Sequence, residues 1–279
     1  MRFSFKTWGQ QIEWPMLRDI WIEADRGGFW DGVWLNDHFY PPKSPSELPI
    51  FEAWTLLAGL AGLTDRLRFG TMVTANTFRH PVVVAKMAAT IDHMSNGRLN
   101  IGIGTGWHQG EHAAYGISLP SLTDRFDMLD ETFTIIDGLM TNEVFSFEGK
   151  HHRLVEARFE PKSVQRPRPP FVIGGAGPNR TLPLAAKWAD HWNFPDYDRD
   201  LSAFETRVAR LRSLCAEIGR DPADIEISAQ FRFDNLAEIP ELIAGYEAAG
   251  ADHVLVSFSP PGDPTLPVRV ADYLGGLAG

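Results

Sequence analysis

Asp37-His38 is the pair in this sequence best suited to moving a proton. Imidazole exchanges a proton near neutral pH, and an adjacent carboxylate can orient the ring or bind substrate itself. The competing reading is a turn capped by Asp37 beside a packed His38. A second concentration of reactive residues runs from Arg98 to His112. Leu99, Ile101 and Ile103 alternate as a strand, and glycines then lead into Trp107, His108, Glu111 and His112. Glycine lets a backbone approach a ligand closely. His108-Gln-Gly-Glu-His112 also matches the inverted zinc-peptidase motif. On a helix its histidines share a face, with Glu111 beside them. Gly110 weakens such a helix, however, and the motif follows a strand. No metal ligand set is therefore expected, and a zinc hydrolase is a distant alternative. Gly174-Gly-Ala-Gly-Pro-Asn-Arg180 is the third stretch. Backbone N–H groups at a helix start, with glycines giving access, can cradle an anion. The stretch is neither a Walker A sequence nor G-x-G-x-x-G, so ordinary turn chemistry competes with that reading.

These residues need a scaffold that gathers them. Short β-branched or aromatic runs alternate with helical patterns, the signature of a parallel sheet. The pattern predicts strands over residues 2–7, 32–36, 67–73, 98–104, 170–175, 190–194, 224–231 and 253–258. Helices are expected over 14–27, 51–63, 82–94, 122–140, 179–189, 201–219 and 239–249, the last closed by Gly250. Eight strands with helices between them make a (β/α)8 TIM barrel of the α/β class, expected as one domain over residues 1–279. A doubly wound open sheet is the alternative. Two segments exceed a minimal barrel. Residues 41–49 form a proline-rich loop, and residues 143–168, between strands 4 and 5, contain a candidate hairpin of 144–147 with 152–155. His151 and His152 fall in that hairpin, where a surface position is expected. In such barrels active sites lie at the C-terminal strand ends. There the sequence places Arg232 after the seventh strand and gathers His38, Arg79, Trp107 and three more histidines, His80, His108 and His112, which turn chemistry alone would not obviously supply.

Composition narrows the function. The chain has 279 residues, 44% of them hydrophobic, with nine Trp and eighteen Phe. It can bury a large core and still wall a planar ligand with aromatic rings. A net charge of −10 argues against nucleic acid as partner. Cys215 is the only cysteine, which rules out a disulfide framework within the chain. Met1-Arg-Phe-Ser-Phe reads as a strand rather than a signal peptide, and no apolar run is long enough to span a bilayer. A cytoplasmic protein with no membrane partner is the expectation.

Six segments in order resemble the luciferase-like superfamily of flavin- and deazaflavin-dependent oxidoreductases. They are Gly32-Val-Trp-Leu-Asn-Asp-His-Phe39, Leu67 to Thr74, Arg79 to His93, Ser95-Asn-Gly-Arg-Leu99, Gly102 to Trp107, and Pro170 to Gly175. The compact length and the Trp107 to His112 loop are most similar to the branch using coenzyme F420, an 8-hydroxy-5-deazaflavin. The resemblance implies a barrel that is usually dimeric, with the ring at its mouth and a hydride passing between the deazaflavin C5 and a small organic substrate. It implies catalytic roles for His38, Asp37 and Glu111. The ring would lie against Asp37, Met72, Val73, Thr74, Asn76, Thr105, Gly106 and Trp107, with Phe39 and Trp8 as further apolar walls. A cis peptide between Met72 and Val73 would back it. Gly174, Gly175, Ala176, Gly177 and Arg180 would hold the phosphate-bearing tail. Where the sugar-phosphate dehydrogenase branch has a glutamate near the fourth strand, this sequence has Trp107, so Glu111 substitutes or the chemistry differs. The residues that grip a sugar phosphate in that branch are not evident. An FMN-dependent monooxygenase is the near alternative, and a non-catalytic flavin-binding protein a distant one.

Overall fold

In the computed structural model, residues 1–7, 9–42, 48–258, 263 and 265–277 are described. The element order is β1 (Arg2–Lys6), α1 (Trp14–Gly27), β2 (Gly32–Leu35), α2 (Ala53–Ala61), β3 (Arg68–Thr71), β4 (Thr74–Ala75), α3 (Pro81–Met94), β5 (Leu99–Gly104), α4 (Gln109–Ala114), α5 (Leu122–Thr141), β6 (Val144–Glu148), β7 (Arg153–Arg158), β8 (Phe171–Gly174), α6 (Thr181–Trp188), β9 (His191–Pro195), α7 (Leu201–Glu217), β10 (Glu226–Phe231), α8 (Ile239–Ala248), β11 (His253–Ser257) and α9 (Leu266–Leu277). Eight of the strands pair in parallel and close on themselves. The ring runs β1-β2-β3-β5-β8-β9-β10-β11 and returns to β1, where Phe3 lies beside Val254. This is the expected barrel, and the open sheet is excluded by the β3–β5 and β11–β1 pairings.

Each predicted barrel strand is present with no end moved by more than two residues. The third is interrupted: β3 stops at Thr71, a cis peptide joins Met72 to Val73, and β4 resumes pairing to β5 at Thr74. The insertion is an antiparallel hairpin of β6 and β7. Its turn is fastened to α5 by Glu131, whose carboxylate accepts the backbone N–H groups of Lys150, His151 and His152. Local chemistry sets several helix starts. Glu52 caps α2 through Trp54 and Thr55, and His80 with Pro81 opens α3. Gly250, at φ +95°, ends α8 as expected. Helices α4, in the loop after β5, and α9 lie outside the helical patterns of the sequence. No helix among the described residues is long and apolar enough to cross a membrane.

Outward side chains of the strands, among them Phe5, Val33, Phe69, Ile101, Ile173, Trp192 and Ile227, pack beneath the helices as the main core. Cys215 of α7 is buried with them. The inside of the barrel is different. Such barrels are usually filled by Val, Ile and Leu. Here the apolar content is a small cluster of Trp34, Met72, Val172 and Leu255. Ser4, Lys6, Asn193, Ser228, Gln230 and Ser257 are buried there as well. Glycines make room for the Trp34 indole. A Cβ on Gly70 would stand 3.1 Å from that ring and 2.5 Å from the Asn100 carbonyl oxygen, and one on Gly102 would stand 1.9 Å from the Thr71 carbonyl oxygen.

That approach predicts a sharp contrast. Gly102→Ala should destabilise the fold by roughly 1–3 kcal/mol or more, the usual cost of overpacking a core. Gly62→Ala, with nothing within 4 Å of its Cβ and φ at −86°, should leave stability nearly unchanged. Thermal denaturation of both variants checks this, and equal melting temperatures would refute the packing argument.

Candidate active site

A cavity of about 640 Å³ opens at the C-terminal ends of the barrel strands. It collects Lys6 from β1, Asn36, Asp37 and His38 after β2, and Met72 to Ala75 around the break between β3 and β4. Gly104 to His108, Glu111 and His112 join from β5 and α4, with Gly174 from β8, and Tyr197 and Arg232 beyond β9 and β10. One wall is built from the cis Met72–Val73 segment. Glycines face it: a Cβ on Gly104 would reach 2.6 Å from Val73 Cγ2, and one on Gly174 would lie 3.4 Å from Val73 Cγ1. The missing side chains of Gly104 and Gly174 thus admit Val73, and the three make one continuous wall.

His38 and Glu111 form the polar rim. His38 Nδ1 lies 2.9 Å from Glu111 Oε2, and the Phe39 N–H donates to Glu111 Oε1. Burial would raise the Glu111 carboxyl, but the hydrogen bonds from His38 and from the Phe39 and Tyr40 backbone outweigh it and hold the group below its ordinary range. Asp37 turns elsewhere, because neighbouring side chains on an extended segment point apart. Its carboxylate takes the forked Arg79 guanidinium at 2.6 and 2.9 Å and the Ala75 N–H at 3.2 Å. Burial pushes Asp37 up, against the pull of Arg79. Arg79 also reaches Glu52, the cap of α2, and so ties the mouth to a helix start. The carboxylate that orients His38 is therefore Glu111, not the adjacent Asp37.

The H-x-x-E-H residues divide among separate tasks. His108 caps α4, its Nδ1 accepting the Glu111 N–H at 3.0 Å. His112 Nδ1 donates to the His108 carbonyl at 2.8 Å, and its Nε2 meets Thr77 Oγ1 at 2.6 Å. Helix α4 forms despite Gly110, but its three motif side chains do not converge on one point.

Of the other expected residues, Thr74, Thr105, Gly106 and Trp107 line the cavity. Asn76 is buried behind it, accepting a hydrogen bond from Thr132. Gly175, Ala176 and Gly177 continue past Gly174 away from the cavity lining. Arg180 lies in an outer groove beside Lys150 and Lys187, with Thr123 Oγ1 at 3.3 Å and the Phe126 ring at 5.9 Å. Phe39 packs on Phe78 and Tyr115 rather than facing the cavity. Trp8, residues 43–47 of the proline-rich loop, Ser259 and Pro260 lie outside the described residues.

Lys6 and Tyr197 were missed by sequence reasoning, and Arg232 was noted only as a polar strand end. Lys6 Nζ donates to the Met72 carbonyl at 2.9 Å, directly behind the cis wall. Burial, reinforced by Arg232, pushes its pKa down to about 7. Arg232 stacks over the Tyr197 ring at 4.8 Å, and Tyr197 Oη accepts from Gln230 Nε2 at 2.6 Å. The available signal was the alternation of β1: Lys6 falls on the inward side with Ser4, opposite the outward Phe3 and Phe5.

A sequence model of the family described as luciferase-like monooxygenase matches residues 1–234. An F420-dependent glucose-6-phosphate dehydrogenase from Microbacterium testaceum (strain StLB037) is 34% identical over 196 residues, covering 68% of this chain and 55% of the relative. This chain thus spans little more than half the length of that relative. The protein of the same description from Nakamurella multipartita is 31% identical over 244 residues, covering 84% of this chain and 68% of the relative. An F420-dependent secondary alcohol dehydrogenase, solved with an F420-acetone adduct, superposes with a TM-score of 0.82 over 96% of both chains at 20% identity. That likeness is one of fold.

The buried lysine has a consequence for stability. Below pH 7 Lys6 is charged in both the folded and unfolded chain, so the folded state bears the full cost of burying the charge. Between pH 7 and about 10.5 the folded chain has released the proton and the unfolded chain has not, so this contribution makes stability rise with pH. Lys6→Met should therefore stabilise the protein at pH 6, by on the order of a few kcal/mol, and the gain should shrink as pH rises towards 10. Urea titrations of both proteins across that range check it, and a gain independent of pH would contradict it.

Proposed function

The chain belongs to the luciferase-like monooxygenase family, and from that premise we propose that it is an F420-dependent oxidoreductase acting on a small organic substrate. The observation that carries the reading is a cavity at the C-terminal strand ends, with the Met72–Val73 segment as one wall and a histidine–carboxylate pair at its rim. A flat ring system needs backbone on its faces and room beside them. Gly104 and Gly174, having no side chains, let the Val73 side chain pack against them, so that the wall would not bulge into the space a ring needs. Thr105, Gly106 and Trp107 would edge the ring. Gly175, Ala176, Gly177 and Arg180, outside the cavity, would meet the longer tail of such a coenzyme. When bound, the deazaflavin supplies a C5 that accepts or donates a hydride.

The chain's own part is to hold the substrate and manage its proton. Glu111 accepts from His38 Nδ1–H, which leaves Nε2 of the neutral ring as the proton acceptor. His38 takes the proton from a substrate hydroxyl on oxidation and returns it on reduction. Glu111 is the positioning residue for that step. Asp37 acts through Arg79, holding the backbone at Ala75 on the cavity wall. Arg232 adds positive charge to the cavity, joined by Lys6, beside the same wall, when its amine is protonated.

Two measurements test the reading. Titration of the cofactor-free protein with F420 and with FMN, followed by tryptophan fluorescence, should show F420 at least about tenfold tighter, roughly 1.4 kcal/mol. Equal or tighter FMN binding would favour an FMN-dependent monooxygenase. Once a substrate is found by screening for oxidation of the reduced coenzyme, His38→Ala should lower kcat by about 10²–10⁴-fold while leaving coenzyme affinity essentially unchanged. Wild-type turnover in His38→Ala would remove the histidine from the mechanism.

A further inference from the structure

At the opposite end of the barrel, His191, Glu226 and His253 are the first residues of β9, β10 and β11. Strand register sets Glu226 beside His191, and Ser228 beside His253. All three side chains point inward, and each offers a ligand atom within 4.8 Å of the others. We propose that these residues bind one divalent metal ion of the zinc class at the closed pole of the barrel. This inference does not rest on the coenzyme reading.

The serines prepare the imidazoles. His191 Nε2 lies 2.6 Å from Ser228 Oγ, and that hydroxyl donates its own proton to Asn193 Oδ1 at 2.9 Å. Ser228 must then accept from His191 Nε2–H, which leaves a lone pair on Nδ1. His253 also meets a hydroxyl through the ring nitrogen remote from Glu226, its Nε2 being 2.7 Å from Ser4 Oγ. Fixing one ring nitrogen through an outer partner is how proteins ready the other for a metal.

The contact between His253 and Glu226 points the same way. Nδ1 and Oε1 are 2.8 Å apart, yet they are not aligned as a hydrogen bond, and neither atom has another hydrogen-bond partner. The His253 side chain is only 5% exposed. A donor and its acceptor lie on a shared axis. Two ligands of one ion stand close together but off each other's axis, both facing the ion. Glu226 keeps Oε1 for this purpose, because Oε2 is taken by Arg2 at 3.0 Å. Arg68 is turned towards Asn100 and Gln165. Two nitrogens and one carboxylate oxygen suit zinc, cobalt or nickel rather than calcium or magnesium. An ion here would staple β9, β10 and β11, and through Ser4 would reach β1. Its distance from the catalytic mouth makes the role structural.

The test uses the full chain, free of affinity tag and stripped with chelator. Co²⁺ titration should give visible d–d absorption saturating at one ion per chain, displaceable by Zn²⁺, with a higher melting temperature. Glu226→Gln and His253→Gln should abolish it. Ser4→Ala, a milder change, should weaken binding by about tenfold. Nitrogen NMR of the unmodified protein keeps the test decisive if the ligand variants fail to fold, since Zn²⁺ must then move the His191 and His253 Nδ1 resonances. His151→Ala is the control, because Asp124, Asp127 and His151 form a more exposed cluster in which Lys150 already pairs with both carboxylates. Uptake lost in His151→Ala but kept in Glu226→Gln would overturn the proposal. So would absence of uptake at millimolar metal.

Discussion

A carboxylate removed from water must be given donors, and the mouth of this barrel is organised around two that are. Glu111 is wholly buried and draws its donors from the loop after β2, at His38 and Phe39. Asp37, equally enclosed, draws its own from Arg79 and Ala75. Removing a donor from such a group leaves a buried charge unsatisfied, which costs far more than the hydrogen bond itself. The loops following β2, β4 and β5 are therefore held in one arrangement, and the orientation of His38 follows from it. Arg79 extends the same constraint to the first turn of α2 through Glu52. What looks like a catalytic pair is also a structural clasp.

Below the mouth, the barrel is held along its axis by directional contacts as well as by grease. His191, Ser228, Asn193, Gln230, Ser257 and Tyr197 form one continuous hydrogen-bonded run from the closed pole to the cavity. Such a network, once fully satisfied, specifies a single arrangement more strictly than apolar packing does. A slip of one strand against its neighbour would break several of these bonds together. The outer shell, where Phe5, Phe69 and Ile173 meet the helices, supplies the hydrophobic drive, and the interior supplies the register.

Much of the fold was legible because strand and helix periods differ. Ile101 and Ile103 alternating with glycines mark a strand, while Leu17, Ile20, Trp21 and Ala24 mark a helix face. The resemblance, rather than periodicity, carried the cis Met72–Val73 peptide. The pairing of His38 with Glu111 was not readable, since 73 positions separate them and the nearer Asp37 offered an obvious partner. His191, Glu226 and His253 are separated by dozens of residues and match no ligand spacing. Only the register of three parallel strands reveals them as neighbours. Lys6 was hidden for a related reason: a long cation inside an apolar strand reads as surface until the barrel closes around it.

Cys215 lies fully buried on α7, and burial raises its thiol above the ordinary value. The thiolate is the form that oxidants and electrophiles attack. A chain whose only sulfhydryl is both enclosed and protonated is chemically quiet towards peroxide, disulfides and alkylating agents. A cysteine introduced anywhere on its surface would then be the single point that a thiol-directed dye or spin label could find.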